Sequence, residues 1–166
     1  MPVSVRLTVP DLPSPLVDEA LMREVGDLAI RMIRTRTQSG KDKDGAPFTA
    51  YTPAYAERKA KEGLGTTPNL TVSGRLLNDM AVTAVSPGKA SIGFRSSGGG
   101  TKGRGLTMIQ RSRALGAEDK ARFHDQLGAG KSRTIRSFLG LTDTEADTIR
   151  ARVARYLDDV MRRASQ

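Results

Sequence analysis

His124 is the only histidine in a chain of 166 residues that lacks cysteine altogether. Nucleophilic chemistry needs a base beside a Ser, Thr or Cys. Here His124 is the one candidate base, and no G-x-S-x-G elbow accompanies it. A metal centre needs several His, Cys or carboxylate ligands. A lone histidine followed by Asp125 reads instead as a hydrogen-bonded turn residue. The paired carboxylates (Asp42 and Asp44, Glu118 and Asp119, Asp158 and Asp159) fall in polar stretches that read as solvated. Lys41-Asp42-Lys43-Asp44-Gly45 opens like a calcium loop, but Gly45 comes too early and Pro53 stands where the bidentate glutamate belongs. Residues 96–105 are glycine-rich and basic, yet carry no GxxxxGK[ST] pattern. The sequence therefore predicts no catalysis, no cofactor and no metal.

The elements that would hold these residues can be read from periodicity. Residues 3–9 alternate apolar and polar, a strand pattern. Ser14-Pro15 offers a cap and a first helical position for a helix over 15–38. Along it Val17, Leu21, Val25, Leu28 and Met32 share one face. Leu16, Met22, Ile30 and Ile33 widen that face, which could serve the core alone or also meet a neighbouring subunit. Arg31, Arg34 and Arg36 fall near its end, where the helix dipole favours cations. Thr52-Pro53 begins a short basic helix over 54–61, and Ser73 could cap another through Asp79. Residues 80–85 and 89–95 form a hairpin across Ser86-Pro87-Gly88. Short helices are expected at 108–115 and 117–127.

Residues 122–141 organise the rest. Gly128 and Gly130 mark a turn, residues 133–138 can run extended, and Phe138, Leu139 and Leu141 can be buried as a strand. Thr142 with Glu145 forms a capping box for a terminal helix over 142–164. Ile149, Val153, Tyr156, Leu157 and Val160 make its apolar stripe, which should pack on the first helix or on the sheet.

The length suits one ordinary domain over residues 1–166. No apolar run spans a membrane, and the first residues lack the pattern of a signal peptide. The net charge is +9. Between 95 and 136 ten basic residues stand against three acidic ones, which suggests one basic surface. Such a surplus draws polyanions. It is compatible with nearby DNA, with solubility, or with an acidic protein partner. The loop 96–105 is either a flexible insertion or a segment that orders against DNA or a neighbouring ring component.

Two blocks carry a resemblance. The first holds Asp44, Gly45, Pro47, Phe48, Tyr55, Lys59, Leu70, Ser73, Gly74 and Leu76. The second holds His124, Gln126 and Gly128, then Arg136, Phe138, Leu139 and Gly140. In this order they resemble the phage virion morphogenesis family, the Mu-like tail completion proteins. Phe48 stands where tryptophan is commoner, and Asp125 is an extra residue between the histidine and the glutamine. The glycine loop and residues 106–122 are also an insertion relative to the family.

The resemblance implies an α+β fold, a small antiparallel sheet flanked by long N-terminal and C-terminal helices with extended loops. It implies a tail completion, neck or terminator role in the virion, in a ring that is often hexameric. The ring would join head connector proteins to the tail terminator or tail tube around the DNA path. Lys102, Arg104, Arg111, Arg113, Lys131 and Arg133 would be the DNA-facing basic residues. The rival reading is a free basic nucleic-acid-binding protein. Stacking aromatics are scarce for it, and no recognition motif appears.

Overall fold

The long first helix forms as α1, Glu19–Gln38, in the computed structural model, which describes residues 3–8, 17–95, 116–129 and 133–166. It begins at Glu19 rather than at Pro15. Asp18 is its cap, accepting from the Leu21 N–H at 2.7 Å. The predicted Ser14-Pro15 start, the glycine loop 96–105 and the helix at 108–115 lie outside the described residues, as do Gly130, Lys102, Arg104, Arg111, Arg113 and Lys131.

The fold is α+β. Strands β1 (Val5–Thr8), β2 (Met80–Ser86) and β3 (Lys89–Phe94) form an antiparallel sheet in the order β1-β3-β2. The hairpin forms as predicted, with Val82 opposite Ile92 and Val85 opposite Ala90. On the far side Val5 pairs with Ile92 and Leu7 with Ala90. These residues put one apolar face of the sheet against α1. A bulge between Val82 and Ala84 shifts the register at Thr83. Gly26 lets helix and sheet come close, since a Cβ there would lie 2.6 Å from Val82 Cγ2.

Helices α2 (Pro53–Lys61), α3 (Arg75–Asn78) and α4 (Ala117–Arg122) are short. Ser73 is not the cap of α3. Gly74 takes that place in a left-handed conformation. The predicted 117–127 helix is α-helical only to Arg122 and then widens into a π-helical turn, Phe123–Leu127. The last helix, α5, is Asp143–Ala164, and its capping box is formed: Glu145 N–H donates to Thr142 Oγ1, and Thr142 N–H to the Glu145 carboxylate. Ile149 and Val153 are buried, and Tyr156 and Leu157 pack against the core more loosely. Met161 is 53% exposed, so burial fades along the second half of the helix.

Helix α5 lies antiparallel to α1. Arg152 makes a two-pronged ion pair with Glu24, at 2.7 and 2.8 Å. The Tyr156 hydroxyl donates to Asp18 at 2.9 Å. The third rung is Arg36 with Glu145. This corrects the expectation that the arginines at the end of α1 simply complement its dipole. Arg36 is buried, and its Nη2 also donates to the carbonyls of Phe138 (2.8 Å) and Gly140 (2.9 Å). Arg34 likewise reaches the carbonyls of Leu77, Asn78 and Met80, at 2.8, 3.2 and 2.9 Å. Thus α1 is pinned through one side chain to α3 and β2, and through another to α5.

Removing one partner of a buried ion pair leaves the other charge uncompensated, at about 3–5 kcal/mol. Arg36→Met should therefore lower the unfolding free energy by about 3–5 kcal/mol, since Glu145 and two carbonyls lose their donor. Urea denaturation measures this. A loss under about 1 kcal/mol, typical of exposed pairs, would refute the anchoring role.

Candidate functional site

The site is assembled where the second motif block folds back on the first. Residues 133–138 do not form the predicted strand. A single bridge pairs Ala129 with Thr134, and Arg133 takes a positive φ of 48°. Their backbone donors are claimed elsewhere. Arg136 N–H donates to the His124 carbonyl at 2.7 Å. Asp125 Oδ1 accepts from the N–H groups of Phe138 and Leu139, at 3.0 and 3.1 Å. The Asp125 carbonyl accepts from the Ser137 hydroxyl. A π turn closes with one residue more than an α turn, and the extra Asp125 of the motif sits inside it. Gly128 ends the turn at φ 79°, where a Cβ would run into the Arg133 carbonyl.

The two blocks are joined by Arg136. Its guanidinium donates to the carbonyls of Thr49 (2.9 Å) and Ala50 (3.3 Å) and lies 5.1 Å from the Tyr51 ring centre. Lys43 N–H donates to the Ser137 carbonyl at 2.9 Å. Phe48, Leu76, Phe138 and Leu139 are buried in the core. Gly45 and Gly140 border the same junction: a Cβ would meet Thr142 at Gly45 and Lys43 at Gly140. Pro47 is exposed and pairs with Lys41 in an isolated bridge, and Gln126 is exposed on the π turn. Of the six basic residues expected to face DNA, Arg133 alone falls among the described residues, and it is exposed.

Between the blocks lies a cavity of about 460 Å³. Tyr55, Leu76, His124 and Arg136, all motif residues, line it. So do Tyr51, Arg58 and Lys120, which the motifs do not include. Tyr51 and Tyr55 meet edge to face at 4.9 Å. Lys59, only 2% exposed, sets its ammonium 4.6 Å from the Tyr51 ring centre and 3.5 Å from its hydroxyl. Burial lowers the Lys59 pKa and raises those of both tyrosines. Tyr55 and Lys59 lie four apart on α2, a legible signal, whereas Tyr51 precedes the helix. Lys120 lies three residues from Ala117 on the buried side of α4, a pattern too short to read alone.

His124 lies in a turn as expected and is hydrogen-bonded there through its carbonyl, but not through its ring Nδ1. Its Nδ1 is buried with no partner among the described residues. Burial, then the charges of Arg136 and Lys120, lowers its pKa from 6.5 to about 4. It is neutral at pH 7. Lys120 Nζ is also buried and without a hydrogen-bond partner among the described residues. Burial lowers its pKa, and Arg75 adds to the effect while Asp79 opposes it.

A second, shallower groove, about 830 Å³, runs between α1 and β2. Arg23, Arg31, Arg34 and Arg95 line it, with Asp27 the one acid among them. Among the described residues, no group of three or more His, Asp or Glu is placed to hold a metal ion, and no helix is long and apolar enough to cross a membrane. Comparison with known protein families, with curated proteins and with solved structures returns no match to this chain.

The single histidine makes its titration directly readable. Because the unfolded chain holds the His124 proton more tightly, stability falls as pH drops from 6.5 toward about 4 and is fully present above 6.5. The loss approaches about 3 kcal/mol at one pKa unit per 1.36 kcal/mol. Proton NMR of the imidazole should show a midpoint near 4. A midpoint near 6.5 would contradict the burial.

Asp125→Ala strips two N–H groups of a charged acceptor and should cost about 2 kcal/mol, whereas Asp125→Asn keeps an acceptor and should lose less. Equal losses by thermal unfolding would show that the carboxylate does not hold residues 138–139.

Proposed function

We propose that this chain is a structural protein of the bacteriophage head–tail junction. In this reading it is a tail completion, neck or terminator protein of the virion, assembled as a hexameric ring. The ring joins the head connector to the tail around the DNA path. The observation that carries the reading is the pair of motif blocks. They occur in order along the chain, and Arg136 and Lys43 bind them to each other. A scaffold role also suits the chemistry of the site, where the polar groups mostly fix backbone rather than converge on a reacting atom.

Two surfaces support assembly around DNA. Phe123, Leu127 and Ile135, each 44–52% exposed, offer apolar contact to a neighbouring subunit. The arginine groove between α1 and β2 offers phosphate-level attraction, which needs no base reading.

The same groove supports a second reading, a free nucleic-acid-binding protein. Deleting the gene from its phage separates the two. The head–tail reading expects DNA-filled heads and finished tails that fail to join, and ring-shaped particles of the purified protein by electron microscopy. Normal virions without the gene would end it. Submicromolar DNA affinity of the monomer, falling steeply with salt, would favour the second reading instead.

A further inference from the structure

The cavity between the motif blocks collects positive charge and, among the described residues, no carboxylate lines it. Lys120 is 7% exposed, its ammonium enclosed without a hydrogen-bond partner among the described residues. Isolating a cation from water is strongly unfavourable unless something compensates it. Arg58 and Arg136 line the same space, and Arg136 already spends its donors on the carbonyls of Thr49 and Ala50. The remaining wall is apolar and aromatic: Leu70, Leu76, Tyr51 and Tyr55.

The surroundings carry the same message. Phe123 and Leu127 project from the π turn beside His124. Ile135 is held next to them by the bond from Arg136 N–H to the His124 carbonyl. None of the three lines the cavity, but exposed apolar side chains on the segments that carry His124 and Arg136 suit a protein contact.

We infer that this cavity receives a single carboxylate carried on an apolar body, presented by an acidic segment of a partner polypeptide, with Lys120 as its counter-charge. One enclosed ammonium matches one negative charge. Arg58 is exposed, and a phosphate dianion would call for more enclosed donors than Lys120 and a neutral His124 supply. The segments that adjoin α4 and Ala129 in sequence have the wrong sign: residues 96–115 and 130–132 contain Lys and Arg but neither Asp nor Glu. The inference goes beyond the head–tail reading and does not rest on it, because it concerns binding in solution rather than virion assembly.

The test is calorimetric titration of the full chain with the blocked peptide acetyl-Ala-Leu-Glu-Leu-amide and with its Gln counterpart. The Glu peptide should bind at least about tenfold more tightly, the value of a charged hydrogen bond. Lys120→Met should erase that preference while raising the melting temperature of the free protein, because a desolvated charge only partly offset by Asp79 is removed. Should that variant not fold, Arg58→Ala, altered at an exposed position, should weaken the Glu peptide and leave the Gln peptide unchanged. No preference for Glu in the wild type, or a preference that survives Lys120→Met, overturns the inference. Sodium butyrate binding as tightly as the Glu peptide would reassign the site to free carboxylic acids, and tighter binding of inorganic phosphate would overturn the carboxylate.

Discussion

A buried guanidinium governs this architecture. Arg36 lies in the last turn of α1, and its side chain joins the Glu145 carboxylate in the first turn of α5 to the carbonyls of the segment that precedes it. A buried cation must be matched by acceptors in good geometry, or it destabilises the fold. That requirement fixes where 138–140 can lie and where α5 can begin. Glu145 is used twice, as ion-pair partner and as the carboxylate of the capping box. The antiparallel seating of α5 on α1 then follows along Glu24–Arg152 and Asp18–Tyr156.

The polar turn obeys the same logic with opposite emphasis. Asp125 and Arg136 satisfy backbone groups fully, so a segment without regular structure still holds its shape. Nearby in the chain, Lys120 Nζ and His124 Nδ1 are buried without hydrogen-bond partners among the described residues. A stable scaffold and an unsatisfied patch within one turn are what a docking surface requires, since the stabilisation left out of the free protein is available to a partner.

Local pattern made much of this fold legible. The spacing of Leu21, Val25 and Leu28 announced α1, the turn at Pro87-Gly88 announced the hairpin, and Thr142 with Glu145 announced α5. Each signal lies within one or two turns of chain. What remained hidden depends on distant partners. Arg34 and Arg36 looked like solvated charges at a helix end, because nothing nearby in sequence reveals the carbonyls of Leu77 or Phe138. Asp125 looked like an insertion beside a histidine, and its role appears only once residues 138 and 139 fold over it. The start of α1 was misjudged because Pro15 gave the stronger propensity signal, whereas Asp18 had the geometry. At the candidate site Tyr55, His124 and Arg136 came from motif likeness, while Lys120 and Tyr51 needed coordinates.

The separation between Arg36 and Glu145 along the chain also sets a timetable. The hairpin closes on itself across Pro87-Gly88, as contacts of modest sequence span form readily. The carbonyls and carboxylate that neutralise Arg36 belong to residues 138–145, far along the chain from α1. A nascent chain therefore carries an unsatisfied arginine and a bare helix flank until residues 138–145 leave the ribosome, and only then does the turn around His124 acquire a fixed shape.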